Sequence, residues 1–465
     1  MLDLERFPFF ARIIERLRPF FHSYAYIALV VGIGAFGFAF SYEIEALYFL
    51  LVTVALSIAL CRDFMPMLVG ASVTGMVPLR FQGEAVETFL PLIPGGVILG
   101  AAFLFHLIAF KPDFKFGTFF KPTLAVAVAM TLGGLFANPL RDNFTLPALY
   151  YVFFLGFGML GIYVLLEAYL PRKEDLAPYA AKMMVGVGVM GLVLFLSGIH
   201  EHLEVFMEEG PGRYFQWRNN MTNFLLLSMP FSFYMAVTRD NSIPYFVLGV
   251  LQYAALVLSH SRGGIIFGTA VFPFLLAFTL ILSGEKRWRL IMTFALLLLA
   301  LFFTFEALEI DSRTVLARTV ERASDIDSEE GRAVRYREAM EKFREAPLFG
   351  QGLADEGEHG EPGGPMTIHW YYSTLFQTLA SLGLAGAAAY LYQAFVRVRT
   401  LLRFPGYFHA FLLIAVGGFA AYSMVNVGYY APLPYMAMVL HLFMVLDRHN
   451  DRLQADEALR REATY

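Results

Sequence analysis

The sequence predicts an all-α polytopic membrane protein with 12–14 transmembrane helices and one large extracytoplasmic loop containing short helices. Its 465 residues are 58% hydrophobic and only 16% charged, whereas a soluble domain carries about 25% charged residues. Fourteen apolar segments approach the roughly 20 residues that a membrane helix needs. The single cysteine, Cys61, excludes an internal disulfide and CxxC sites. The net charge of −4 argues against a nucleic-acid partner.

The candidate spans follow one another along almost the whole chain. They are approximately 25–42, 45–61, 64–79, 89–110, 121–138, 146–170, 180–199, 221–237, 243–259, 263–283, 288–305, 370–396, 407–425 and 429–446. Two adjacent pairs are also compatible with re-entrant hairpins, namely 45–61 with 64–79 and 407–425 with 429–446. Twelve to fourteen spans are therefore expected.

The distribution of Lys and Arg predicts the orientation, because cytoplasmic loops carry an excess of these residues. With the N-terminus inside, 22 of the 35 basic residues lie in inside segments and five in the short outside loops. We therefore expect an N-terminal bundle of about eleven spans at 1–305, an extracytoplasmic loop at 306–369, C-terminal spans at 370–446 and a cytoplasmic tail at 447–465.

The outer loop contains a predicted amphipathic helix at Glu329–Ala346. One face is marked at three-to-four spacing by Tyr336, Met340, Phe343 and Pro347. Arg332 and Arg335 lie one turn apart beside this face. Pro347 is expected to end the helix, and the glycines that follow predict a turn.

Three segments combine groups that suit an anionic or sugar ligand. In the segment Ser259–Gly264, Arg262 precedes two glycines, so a guanidinium and backbone N–H groups can meet an anion. The alternative is an arginine that reaches lipid phosphates. In Arg213–Asn220, Arg213 and Arg218 lie among aromatic and amide side chains; the alternative there is a loop with a Trp anchor.

The third segment is Ile368–Tyr372, where the outer loop re-enters the membrane. His369 can accept a proton from a hydroxyl near neutral pH. The alternative is a residue of the interfacial aromatic belt, in which Trp and Tyr are common. Walker and HExxH sequences are absent from the chain, and we expect neither a cofactor nor a metal site.

These segments together resemble the O-antigen ligase/polymerase family of bacterial envelope enzymes. Ser261–Gly264 resembles the family's S-R-G-[GA] element, and Asn219–Asn223 resembles its weaker N-x-x-N element. The family's G-R…P-L-x-G-x-G run is matched by Gly331, Arg332, Tyr336, Ala339, Phe343, Pro347, Leu348, Gly350 and Gly352. Its H-N-x-x-L-Q…G-L-x-G run is matched by His369, Leu375, Gln377, Gly383, Leu384 and Gly386. The chain departs from the family at Tyr336, where Trp is usual, and at Trp370, where Asn is usual.

The resemblance implies a GT-C-like membrane glycosyltransferase. Such an enzyme transfers a glycan from polyprenyl (undecaprenyl) diphosphate to a hydroxyl of a glycan or glycolipid acceptor. It implies a multi-pass protein in the bilayer of the cytoplasmic (inner) membrane, with the active face outside. It further implies His369 as the catalytic base. The expected substrate-binding residues are Arg262, Arg332, Arg218, Arg213 and Arg335.

Two alternatives stay open. A polymerase would use the same donor and differ only in its acceptor. A transporter or flippase of lipid-linked saccharide would also have many spans, but it is expected to show paired half-repeats, and the sequence has no such symmetry.

Overall fold

The structure is a computed structural model that describes residues 8–78, 90–112, 114–136, 144–172, 174–202, 218–307, 312–324, 327–356 and 366–462. Its first helices are α1 Pro8–Phe21, α2 Tyr24–Phe40, α3 Glu43–Leu60, α4 Met67–Met76, α5 Ile93–Ala109, α6 Phe120–Thr131, α7 Leu146–Phe153, α8 Met159–Tyr169 and α9 Ala177–Glu201. They are followed by α10 Arg218–Thr238, α11 Ser242–Leu258, α12 Arg262–Leu282, α13 Arg287–Ala307, α14 Ser312–Ser324 and α15 Asp327–Glu345. The last elements are strands β1 Ala354–Glu356 and β2 Met366–Ile368, then α16 Thr374–Leu401, α17 Tyr407–Ser423 and α18 Ala437–Glu462. Short π-helical segments extend α6, α7 and the start of α18, at Leu132–Phe136, Phe154–Gly158 and Pro432–Met436.

The fold is that of an all-α polytopic membrane protein, as predicted. In the described part of the chain, eight helices are long and apolar enough to cross a membrane, or up to nine if the bent pair α1–α2 is one span. Four shorter apolar helices lie at the predicted spans 64–79, 121–138, 243–259 and 407–425. The total of twelve to fourteen spans stays a prediction.

The predicted helix of the outer loop is confirmed, since α15 covers Asp327–Glu345. Two differences follow it. The strands β1 and β2, which pair antiparallel with Ala354 opposite Ile368, are too short to give a sequence pattern. The next span begins at Thr374 and not at Trp370, because the side chain of Ser373 accepts a hydrogen bond from the N–H of Phe376 and caps α16 there.

The chain divides into two compact units. The first comprises Met1–Asp113, Tyr169–Ser324 and Gly406–Gly418, and the second comprises Phe114–Ala168, Asp325–Pro405 and Phe419–Tyr465. The first unit is packed around α10, whose best membrane-length window is 94% buried. Within the second unit, α15 and α6 both pack against α16.

A buried carboxylate joins the first helices of the first unit. Asp63, in the loop after α3, accepts hydrogen bonds from Nε2 of His22 at 3.0 Å and from Nε of Arg18 at 3.3 Å. Burial alone would raise the pKa of Asp63. The hydrogen bond from His22 and the charges of His22 and Arg18 outweigh burial and lower this pKa from its ordinary value of 3.8.

Candidate functional site

The predicted site residues lie in both units. Arg218 and Arg262 belong to the first unit, and Arg332, Arg335 and His369 belong to the second. Arg213 lies outside the described residues. The two groups are described separately below.

Arg262 is the first residue of α12 and is half-buried. The preceding Ser261 caps this helix, since its hydroxyl accepts a hydrogen bond from the N–H of Gly264 at 3.3 Å. The same hydroxyl donates to Oδ1 of Asn219, in the first turn of α10, at 3.1 Å. The Asn219–Asn223 and Ser261–Gly264 motifs are therefore joined by a direct side-chain contact. The N-terminus of α12 and an arginine beside it suit an anion.

The glycines after Arg262 have a packing role. A Cβ atom built on Gly264 would lie 2.8 Å from the hydroxyl oxygen of Thr222 on α10. Thr222 is fully buried. A larger residue at 264 would push α12 away from α10, and with it the capped turn that carries Arg262.

The second group is centred on His369. Its Nε2 lies 2.5 Å from Nη1 of Arg335 and 3.3 Å from Oε2 of Glu338. Arg335 and Glu338 are three residues apart on α15, and their own side chains approach to 3.6 Å. The His369 side chain is only 10% exposed. An imidazole, a guanidinium and a carboxylate therefore meet at one point on α15.

An arginine side chain carries only N–H donors, and Nη1 of Arg335 lies 2.5 Å from Nε2 and 3.3 Å from Nδ1 of His369. A ring nitrogen of histidine that holds a lone pair can serve as a general base. Glu338 is placed to stabilise the imidazolium that would form after proton transfer.

A glutamine holds the backbone of the histidine. Gln377, in the first turn of α16, donates from Nε2 to the carbonyl of His369 at 3.1 Å. Its Oε1 accepts from the N–H of Tyr371 at 3.0 Å. Gln377 is fully buried, so one amide fixes the extended segment 369–371 before the span begins. The sequence singled out Gln377 as part of a motif but gave it no role.

Aromatic packing fixes the two sides of this cluster. The ring of Tyr336 on α15 stacks on Phe376 of α16, with centroids 4.3 Å apart and an interplanar angle of 13°. Trp370 packs edge-to-face against Tyr151 at 5.2 Å. These are the two positions at which the chain departs from the family pattern, and both rings serve packing.

The turn after α15 is anchored on a break in α16. At Gly383 the helix has φ +63°, so backbone groups on both sides are released from the helical ladder. The N–H groups of Leu384 and Ala385 donate to the carbonyls of Pro347 and Leu348 at 2.8 and 3.0 Å. On the other side of the break, the carbonyls of Ala380 and Ser381 accept from the N–H groups of Gln351 and Gly352.

Glycine is required where the two backbones meet. A Cβ atom at Gly383 would lie 2.6 Å from the backbone N of Gly350, and Gly350 itself has φ +75°. Left-handed conformations of this kind are costly for other residues. The P-L-x-G-x-G and G-L-x-G runs are thus one docking joint, which holds the helix of Arg335 against the span that follows His369.

Arg332 lies three residues before Arg335 on α15 and is half-buried. Sequence reasoning missed two further charged residues near His369. Glu338 could have been found from its i, i+3 spacing to Arg335. Lys342 lines a small cavity together with His369, Gln351 and Tyr371; it follows Glu338 by one turn on the same helix face.

Comparison with known proteins supports one family. Residues 246–391 match the family model described as O-Antigen ligase. This stretch contains Arg262, Arg332, Arg335 and His369 but not Arg218. No curated protein and no solved structure gives a significant match to the chain. The matched stretch includes both Arg262 and the entire His369 cluster, and this similarity supports an assignment to the O-antigen ligase/polymerase family.

Proposed function

We propose that the chain is a metal-independent glycosyltransferase of the O-antigen ligase type. It transfers a glycan from a polyprenyl diphosphate, such as the undecaprenyl form, to a hydroxyl of a glycan or glycolipid acceptor. The reaction takes place on the outer face of the cytoplasmic membrane. The observation that supports the proposal is the contact of His369 with Arg335 and Glu338 within the matched family stretch.

The reaction displaces the lipid diphosphate at the anomeric carbon. The acceptor oxygen forms the new bond to this carbon, and the bond to the phosphate oxygen breaks and leaves its electron pair on the diphosphate. The proton of the acceptor hydroxyl passes to Nε2 of His369, and Glu338 balances the resulting imidazolium. A positioned general base of this kind contributes roughly two to four powers of ten in rate.

Arginines neutralise the leaving group in this proposal. A diphosphate already carries its charge, so it needs no proton to depart, and guanidinium groups can bind it bidentately. Arg335 is expected to take part both in donor binding and in the activation of the acceptor. In the resting arrangement it occupies Nε2 of His369 at 2.5 Å. A donor diphosphate that draws Arg335 toward itself would free Nε2 for the acceptor.

The exchange of Arg335 from His369 to the donor diphosphate predicts an order of binding, with donor before acceptor. Product-inhibition kinetics on purified protein in lipid nanodiscs would measure it. Arg335→Gln should weaken donor binding by roughly 10- to 100-fold, since a hydrogen bond to a charged group is worth about 1.5–3 kcal/mol. Random-order binding with unchanged donor affinity in this variant would exclude the exchange. Arg344→Gln, an exposed change near the end of the same helix, serves as the control.

The side of the membrane is tested separately. Single cysteines at 262, 332 and 369, in a Cys61→Ser background, should react with an impermeant reagent in intact cells. Reaction only after the inner face is opened would contradict the outer location. Transfer should also proceed in the presence of a chelator and without any nucleotide, and a strict requirement for Mg²⁺ or Mn²⁺ would contradict metal independence.

The acceptor is tested in cells that lack the gene. Full-length polymer that accumulates on the lipid carrier would identify the ligase reaction. Single repeat units on the carrier would identify the polymerase reaction. Single repeat units on the carrier that are confined to the inner face of the membrane would instead favour a flippase and contradict the proposal.

A further inference from the structure

A buried arginine near the far end of α16 is not explained by the proposed reaction. Arg397 is only 5% exposed and lies within a helix that can span the membrane, Thr374–Leu401. It is 23 residues beyond Thr374, about 35 Å along a helix, so it belongs to the opposite end of α16 from His369. Its guanidinium lies over the rings of Phe443 at 5.4 Å and Tyr429 at 6.0 Å.

Arg397 makes no ion pair with a carboxylate among the described residues. Two acids are buried in the described part of the same unit, and both are engaged elsewhere. Glu167 pairs with Arg448 at 2.7 Å, and both side chains are 3% exposed. Asp447 accepts a hydrogen bond from the hydroxyl of Thr118 at 3.1 Å. Aromatic faces attract a cation, but this attraction is weaker than the cost of burying an ion without a counter-ion. Ionisable residues inside membrane segments therefore mark sites that bind or move charge.

A small cavity lies beside this guanidinium. Its polar lining consists of Arg397, Gln393 and Tyr390 from α16 and Thr123 from α6, and the remaining lining residues are apolar. Thr123 is 2% exposed, and its hydroxyl has no hydrogen-bond partner. Each of the four polar side chains can donate a hydrogen bond, and no carboxylate lines the cavity. The cavity therefore has a positive charge and several donors, but no acceptor of matching charge.

We propose that this cavity holds one small monovalent anion of chloride size, bound by the guanidinium of Arg397 and the hydroxyl of Thr123. Its volume is about 10 Å³, which is the space that one water-sized particle needs. A halide fits this space, whereas a lipid headgroup does not. The anion would satisfy the orphaned hydroxyl and compensate the buried charge, and it would join α6, α16 and the start of α18 within the second unit.

The proposal is tested by the thermal unfolding of the purified full-length protein in nanodiscs. The protein is transferred into gluconate, and chloride is then titrated at constant ionic strength. The midpoint temperature should rise and saturate with chloride, and bromide should act in the same way. Inorganic phosphate should have no such effect. A wild-type protein without a saturable halide response, or with an equal response to phosphate, would overturn the proposal.

Matched variants test whether the halide response arises at the cavity beside Arg397. Arg397→Gln should abolish the halide response, whereas Arg399→Gln, an exposed change two residues further on, should keep it. Thr123→Ala keeps the charge and should raise the half-saturating chloride concentration about tenfold, the equivalent of one charge-assisted hydrogen bond. If Arg397→Gln does not fold, Thr123→Ala alone tests whether the anion binds in this cavity. Equal halide responses in Thr123→Ala and wild type, or in both arginine variants, would place the anion elsewhere and overturn the proposal.

Discussion

The replacement of His369 by Gln distinguishes a catalytic role of this residue from a structural one. The contacts that hold this residue in place are made by its backbone: Gln377 donates to the carbonyl of His369 at 3.1 Å and accepts from the N–H of Tyr371. These bonds are independent of the side chain. The side-chain contacts that change include those to Arg335, Glu338 and the ring of Tyr371. A glutamine can still pack against Tyr371, and Glu338 is 41% exposed. Solvent screens such a pair, so its loss should cost at most about 1 kcal/mol of stability.

The effect on catalysis should be much larger. Removal of a positioned general base lowers turnover by roughly two to four powers of ten, which corresponds to about 3–5 kcal/mol in activation free energy. Donor affinity should change little, because the substitution leaves the arginines in place. Both quantities can be measured in nanodiscs, with single-turnover transfer from a polyprenyl-diphosphate glycan and direct titration of the donor.

His200→Gln is the control, since His200 is an exposed histidine at the end of α9. It should leave both quantities unchanged. If His369→Gln retains turnover within tenfold of the wild-type rate in a correctly inserted protein, His369 is an interfacial anchor. The base would then have to be sought among the Glu and Asp residues of the outer loop.

Three further predictions concern other parts of the chain. Arg262→Ala should weaken donor binding and lower turnover, and Arg262→Lys should rescue poorly, since a point charge cannot replace a bidentate fork; donor titration of both variants measures this. Gly383→Ala should cost about 1–2 kcal/mol for its positive φ and more for the backbone overlap, whereas Gly161→Ala, with nothing within 4 Å of the added Cβ, should unfold like wild type. The lowered pKa of Asp63 gives stability that is complete above its ordinary value of 3.8 and is lost as pH falls from there through the folded value. Asp63→Asn should remove this acid-dependent loss from the melting curves, and an unchanged pH profile would contradict the assignment.

Much of the fold could be predicted because the bilayer restricts which backbone structures can cross it. Apolar segments of membrane length must be helical, since no water is present to satisfy backbone groups. The predicted spans up to residue 425 therefore match apolar helices in the structure, and the amphipathic pattern at 329–346 matches α15. The short strands β1 and β2 were not predictable, since three residues carry no usable periodicity.

The candidate site was predicted residue by residue but not as an arrangement. The order of the motifs singled out Arg262, Arg335 and His369, and all three lie in the matched family stretch. The sequence did not reveal that Arg335 occupies Nε2 of His369. Nor did it reveal the role of Glu338, since the i, i+3 spacing to Arg335 does not show that either side chain reaches His369. In the sequence, Arg397 was only one of several basic residues at the predicted inner end of a span.

The sequence by itself determined the membrane class, the helical segments, the family resemblance and the residue types of the candidate site. These properties depend on local composition, on periodicity and on motifs that are contiguous in the chain. Only the tertiary structure decided which charges are paired, which are buried and which backbones meet. The joint at Gly350 and Gly383 and the isolated charge of Arg397 both depend on residues far apart in sequence. Their energies are set by distance and solvent exclusion, and neither quantity can be read from residue order.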